Sequence, residues 1–465
     1  MANNRRAKSK KAQKGQGAMS KDVDIVADGA NSIEQHIDRY LIRVFDHQGI
    51  DETWRKELLT FNQVLEKTLR VRLSDGKIHH FVAFRVRHRN PYPTGTYPYG
   101  GGVRFDAGVN LFQMRGLAKG MTLKAAVVDV PHGGAKGGVA LDHAQYTAAD
   151  IQVIAEKYIE EFNGNIGPQL DRLAPDMGTN ERIMGIFANK YSTLNQGKVT
   201  NPSAAISGKP VARGSDGCRG RIPATALGGH YVVEELRNLK EIRGGSLTVA
   251  VQGFGNAGSH FIRFAADFGM TIVAVSHTPG GVYNDKGLSY VELQKTYSAE
   301  GDLTLHRPGV KISNEDLLTL PCDLLVLAAR EHQMTADLAS RTRARTILEL
   351  ANDPTLPEAG AILRDRNILV VPYILASGGG LIVSYYEWRS NMRNKVLTEK
   401  AVFEGLRRRM HRNTDAVVAA SEQFNADSLE FAAYNLAVER LLHPIMGKHL
   451  GQWKTDEADP DYLFE

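Results

Sequence analysis

Two lysines lie in a stretch rich in small residues, Met121-Thr122-Leu123-Lys124 followed by His132-Gly133-Gly134-Ala135-Lys136-Gly137-Gly138. This is no phosphate-binding P-loop, because the pattern GxxxxGK(S/T) fails at Ala135 and Gly137. Lysines among glycines are commonly surface residues. Here Lys124 to Val130 reads as a buried strand running into a loop from Pro131 to Gly138, and glycine lets a backbone approach a ligand closely. Two ammonium groups near each other lower one another's proton affinity. One can then be neutral near pH 7 and act as a base while the other holds a carboxylate.

A second pattern is Gly253-Phe254-Gly255-Asn256-Ala257-Gly258. Alone, GxGxxG is weak in a chain with 45 glycines. Here it follows the apolar run Leu247–Gln252 and opens an amphipathic run from Ala257 to Phe268, the context a dinucleotide fingerprint requires. Gly253 would make the tight turn, Gly255 would let backbone reach the pyrophosphate, and Gly258 would bring helix close to strand. The next strand, Thr271 to Ser276, should end in Asp or Glu to grip a ribose 2′-hydroxyl. It ends in His277, which removes one bias against a 2′-phosphate and leans the expectation towards NADP over NAD.

These groups need elements to position them. Ile33, Ile37, Tyr40, Leu41 and Val44 form one helical face, and Glu52 to Glu66 reads as a second helix. Thr68–Leu73 and Ile78–Val86 alternate about an Asp75-Gly76 turn, predicting a hairpin. Asn90 to Gly102, full of Pro, Gly and Tyr, reads as a loop. Thr147 with Asp150 predicts a capped helix. From Leu247 onward, short apolar runs alternate with helical stretches (Leu247–Gln252, Thr271–Ser276, Leu324–Ala328, Thr346–Leu350, Ile368–Val371), the signature of a parallel, doubly wound sheet. After Ser377-Gly378-Gly379-Gly380 the chain reads as largely helical to about His449. The expected organisation is α/β with two domains. A substrate and oligomerisation domain (22–220, continued by 376–465) would hold an inserted Rossmann-type domain (221–375), with ligands in the cleft between them.

With 465 residues, 42% hydrophobic and 23% charged, the chain has the balance of a globular protein. No apolar run reaches the ~18 residues of a membrane span. Cys218 and Cys322 make neither a CxxC pair nor a disulfide framework, which fits a reducing cytoplasm, and no metal site is expected. The net charge of +5 is a tail property. Residues 1–21 carry seven basic and no acidic side chains, leaving 50 basic against 52 acidic in the remainder. That tail reads as disordered, with neither a secretory apolar core nor an amphipathic transit helix. Without interleaved aromatics, nucleic-acid binding is the weakest reading.

Taken together, Gly101-Gly102-Val103-Arg104-Phe105, Leu117-Ala118 through Lys124, Pro131–Gly138, Ala174-Pro175-Asp176, Gly208-Lys209-Pro210, Arg221–Thr225, Val251–Gly258, Glu349 with Ala351-Asn352, and Ser384-Tyr385-Tyr386-Glu387-Trp388 resemble the glutamate/leucine/phenylalanine/valine dehydrogenase family, most of all its glutamate dehydrogenases. The likeness spans about residues 30 to 450 in the family's order. It implies reversible oxidative deamination of an L-amino acid to a 2-oxo acid and ammonia with NAD or NADP, in a homo-oligomer that is commonly a hexamer. Carried over by position, Lys136 would be the general base that activates water and Asp176 the proton shuttle to the amino nitrogen. Lys124 would hold the substrate α-carboxylate, with Gly101, Gly102, Arg104 and Ser384 also on the substrate side. Thr225 and Asn352 would meet the nicotinamide, and Gly253, Gly255, Asn256, Gly258 and His277 the rest of the dinucleotide.

The chain departs from that pattern at two places: Ser377-Gly378-Gly379-Gly380 stands where the family usually has Asn-Ala-Gly-Gly, beside a nicotinamide-ribose contact, and position 100 differs on the substrate side. The family's glutamate dehydrogenases usually carry Lys just before Gly-Gly-x-Arg, where it grips the substrate γ-carboxylate. Here the residue is Gly100. An unpaired buried carboxylate is costly, so without another cation in the pocket a neutral amino acid becomes the alternative substrate. Arg89, in the neighbouring loop, and Ser384 are candidate substitutes. A catalytically silent nucleotide-binding homologue is the second alternative, opposed by the retention of Lys124, Lys136 and Asp176.

Overall fold

The computed structural model describes residues 32–211 and 216–445. The basic tail of residues 1–21, expected to be disordered, lies outside the described residues. Two β-sheets organise the chain. The first contains β1 (Gln63–Arg72), β2 (Ile78–Arg87), β3 (Tyr99–Asp106), β4 (Gly133–Ala140) and β5 (Asp171–Pro175), in the spatial order β1-β2-β4-β3-β5. β1, β2 and β4 pair antiparallel, whereas β4, β3 and β5 run parallel. The hairpin forms as expected, with Gly76 at φ 78° in its turn.

Four expectations for this half are corrected. The second helix stops early, at Leu59, because Thr60 turns extended and the Asn62 N–H donates to the carbonyls of Arg87 and His88. Leu65 therefore sits on β1. The Asn90–Gly102 loop ends at Tyr99, where β3 begins between β4 and β5. Lys124–Val130 is not a strand but the end of the helix Leu111–Val127, and Gly133–Gly138 is not a loop but most of β4. That helix is buried on nearly every side, so its apolar residues lose the one-sided periodicity that would betray it. The glycines of β4 reflect close packing on both faces of the strand. A β-carbon on Gly134 would lie 2.2 Å from the Thr122 nitrogen, and one on Gly137 would lie 2.3 Å from the Tyr158 hydroxyl oxygen.

The second sheet contains β6 (Leu247–Gln252), β7 (Met270–His277), β8 (Gly280–Tyr283), β9 (Val310–Ile312), β10 (Leu324–Leu327), β11 (Thr346–Glu349) and β12 (Leu369–Val371), ordered β12-β11-β10-β6-β7-β8-β9. The five strands from β12 to β7 are parallel, as the spacing predicts, and β8 and β9 add an antiparallel edge. Between β10 and β6 the connections depart in opposite directions, which opens a crevice at the strands' carboxyl ends. The helices Gly379–Arg393, Glu399–Gln423 and Leu429–Ile445 then return to pack on Leu111–Val127 and Ala224–Asn238. No helix among the described residues is long and apolar enough to cross a membrane.

Candidate active site

The site forms between the two sheets, on β3, β4 and β5 of the first and just past the carboxyl end of β11 in the second. Lys136 on β4, Asp176 just past β5 and Lys124 in the helix Leu111–Val127 border one cavity of about 170 Å³. Gly101, Gly102, Thr225, Asn352 and Ser384 also border it. Gly101 cannot be replaced without displacing backbone, because its β-carbon would lie 1.6 Å from the Ala135 carbonyl oxygen.

Lys136 and Asp176 form a buried ion pair, and the Asp176 carboxylate also accepts from the Met177 N–H at 2.7 Å. Burial disfavours the carboxylate, but Lys136 and then Arg104 outweigh it and hold Asp176 well below the usual carboxylate range. Burial pushes the Lys136 ammonium down, while Asp176 pulls it back up. Lys124 is pushed down to about 7 by burial first and by the nearby Lys136 charge second. Its ammonium donates to the Asn352 side-chain oxygen at 3.0 Å. Sequence reasoning asks for the near-neutral lysine to be the base and the charged one to hold the carboxylate, whereas here Lys124, expected to hold the carboxylate, is the one poised near 7, and Asp176 pulls the lowered Lys136 back up.

A larger cleft of about 840 Å³ adjoins this cavity and shares Asp176, Thr225 and Asn352 with it. Gly255, Asn256 and Ala257 of the fingerprint border the cleft, across from Asp176 and Arg104. A β-carbon on Gly255 would meet no atom within 4 Å, so the middle glycine faces open space, whereas one on Gly258 would lie 2.0 Å from the Gly253 carbonyl oxygen. Gly253 itself needs φ 99°. No side chain caps the helix Asn256–Phe264, which leaves its first N–H groups for an anion. These features fit a dinucleotide.

Not every candidate converges. His277 ends β7 but borders neither cavity, and its ring packs edge-on against Tyr297 at 4.9 Å. Arg104 borders only the larger cleft, where its guanidinium donates to Glu331 at 3.0 Å and lies 3.6 Å from Asp176. Arg89 turns away from the cavity, donating to the Glu57 carbonyl and to Thr60, so it is no substitute cation. Sequence reasoning gave no role to Arg221 and overlooked Arg172, both of which border the substrate-side cavity, and Glu331, which reaches across the cleft. The available signal was the alternation Arg172-Leu173-Ala174-Pro175-Asp176. Once β5 is a strand, it puts Arg172 and Asp176 on one face.

Family models agree with this geometry. A model of the glutamate/leucine/phenylalanine/valine dehydrogenases matches residues 216–446, and that of the family's dimerisation domain matches 61–193. An NAD-specific glutamate dehydrogenase of Staphylococcus aureus is 35% identical over 84% of this chain and 92% of its own length. The chain belongs to the glutamate/leucine/phenylalanine/valine dehydrogenase family. Within it, an NADP-specific glutamate dehydrogenase of Halobacterium salinarum is 36% identical over 84% of this chain and 91% of its own length. The crystal structure of the hetero-hexameric glutamate dehydrogenase from Thermus thermophilus superposes with a TM-score of 0.83 at 34% identity, covering 89% of this chain and 96% of that one. The family's two-domain α/β architecture and amino acid dehydrogenase chemistry are therefore those of this chain.

Proposed function

We propose that this amino acid dehydrogenase oxidises L-glutamate to 2-oxoglutarate and ammonia, and runs the reverse reaction, with NADP favoured over NAD. The observation that carries the reading is the meeting of Lys124, Lys136 and Asp176 in one buried cavity that opens onto the fingerprint cleft at Asn352 and Thr225. Lys124 would hold the α-carboxylate, leaving the amino group to face Asp176. Bound at Gly253–Gly258, Thr225 and Asn352, the nicotinamide would accept the hydride from the α-carbon. Asp176 takes a proton from the amino nitrogen, which weakens the ion pair that keeps Lys136 charged. Lys136 can then release its proton to solvent, the one net proton of the reaction, and draw one from the water that adds to the imine carbon, while Asp176 returns a proton to the departing nitrogen.

The lean to NADP rests on His277 at the end of β7, where a carboxylate would repel a 2′-phosphate. A homo-oligomer, proposed as a hexamer, is supported by the exposed apolar residues Val64, Ile78 and Val82 on the β1–β2 hairpin at the sheet's edge. The buried free thiols Cys218 and Cys322 suit the proposed cytoplasmic location. The test is an amino-acid panel with each nicotinamide cofactor, following the reduced form. Glutamate with NADP should give the highest kcat/KM. A higher value with NAD removes the cofactor preference, and no turnover of any amino acid removes the reading.

A further inference from the structure

Arg172 is only 1% exposed and has no carboxylate partner among the described residues. The nearby acids are engaged elsewhere. Asp171 is held by Arg85 and Arg87, and Glu387 by Lys209 and the Gly208 N–H. The guanidinium donates to the Ser207 hydroxyl at 2.7 Å and to the Ser384 carbonyl, and lies 3.0 Å from the His132 ring nitrogen. All three partners are neutral, since burial keeps His132 well below the usual imidazole range. The Arg172 Nε is buried with no hydrogen-bond partner among the described residues. Arg221, on the same cavity wall, likewise has no carboxylate partner among the described residues and donates to the Ser384 hydroxyl at 2.8 Å. A buried guanidinium without an anion is costly, and a bound carboxylate would offset that cost.

The position of Arg172 says which carboxylate. β3 and β5 pair Gly100 with Arg172 and Gly102 with Ala174. Arg172, Ala174 and Asp176 therefore line one face of the cavity in sequence, with Arg172 about 7 Å along the strand from Ala174 and farther still from Asp176. The proton-handling pair and Arg172 stand at opposite ends. A β-carbon on Gly100 would lie 3.2 Å from the Arg172 Nη2. The guanidinium fills the space that a side chain at position 100 would enter, and that position offers no cation of its own.

We propose that Arg172, with Arg221 beside it, receives a second carboxylate carried on the amino-acid side chain, and so makes this cavity selective for dicarboxylic amino acids. The inference rests on the proposed function and specifies its substrate class. Selectivity here lies on β5 rather than on β3, and Gly100 is the vacancy that admits the arginine.

The test compares kcat/KM for glutamate with that for norvaline, which lacks the distal carboxylate, in wild type and in Arg172→Met. The ratio should fall on the order of 10²-fold in the variant, mostly through KM. The double variant Gly100→Lys/Arg172→Val should recover part of it. Equal loss on both substrates would place Arg172 at the α-carboxylate or in the fold alone, and an unchanged ratio would free it of any role. Either result overturns the inference. Should Arg172→Met fail to fold, inhibition of the wild type decides. Glutarate binding at least tenfold tighter than pentanoate supports the inference, and equal affinity overturns it. Wild type that turns over norvaline as well as glutamate refutes only this inference, whereas wild type inert to every amino acid refutes the underlying reading.

Discussion

Lys136 and Asp176 share one buried ion pair, so they titrate as a unit rather than as two independent groups. Lys136→Ala removes the proposed base and should lower turnover ~10²–10⁴-fold while leaving dinucleotide affinity nearly intact, because the fingerprint lies on the other bank of the cleft. A single-turnover assay beside a nucleotide titration checks both halves, and survival of more than roughly a tenth of the rate contradicts the role. Lys124 gives a second expectation. Its proton affinity is pushed down to about 7 by burial and by Lys136, so at pH 8 the free enzyme carries it mostly neutral. A carboxylate bound beside it raises that affinity again. Binding of glutarate at pH 8 should therefore take up as much as about one proton per site, fading as pH falls below 7. Calorimetry in buffers of different ionisation enthalpy measures this uptake, and buffer-independent heats would contradict it.

Among the elements, the fingerprint turn makes the sharpest prediction. A side chain at Gly255 meets no protein atom, so Gly255→Val should leave the melting temperature unchanged and weaken dinucleotide binding by roughly tenfold or more. Unchanged affinity would reduce the motif to a turn. The parallel sheet was legible from sequence because each strand is a short apolar run followed by a helical stretch. The first sheet was harder to read. β3 and β4 are made of glycines whose missing side chains are filled by neighbouring elements, so they carry no strand-like alternation, and the helix Leu111–Val127 is buried too evenly to show a stripe. Lys124 and Lys136 could be singled out by residue type and spacing, and Asp176 only through the family pattern. Arg172 could not, because its meaning depends on its register with Gly100, which exists only once β3 and β5 are paired.

Across the whole molecule, several contacts join the two banks of the cleft among the described residues. Glu331, from the loop after β10, accepts from Arg104 at 3.0 Å and from Gln113 at 2.7 Å. Asn352, after β11, accepts from Lys124. His36 in the first helix and His332 both meet the Asp353 carboxylate, at 3.0 and 3.2 Å, with Asp353 held at φ 45°. Glu331→Gln keeps the shape but removes the charge from the first contact. It should raise KM for the amino acid on the order of tenfold and reduce the sensitivity of KM to salt. Identical KM and salt dependence in the variant would show that the contact does not help hold the cleft closed.

The Glu331 tie ends on the same guanidinium that faces Asp176, at 3.6 Å. Parting the banks therefore changes the electrical field on the carboxylate that carries the proton. If the banks part during turnover, mechanical drag and proton release would belong to one event. A viscogen such as sucrose, which slows the swing of one half past the other, should retard turnover most steeply in the pH range where the Lys136–Asp176 pair exchanges its proton, and hardly at all outside it.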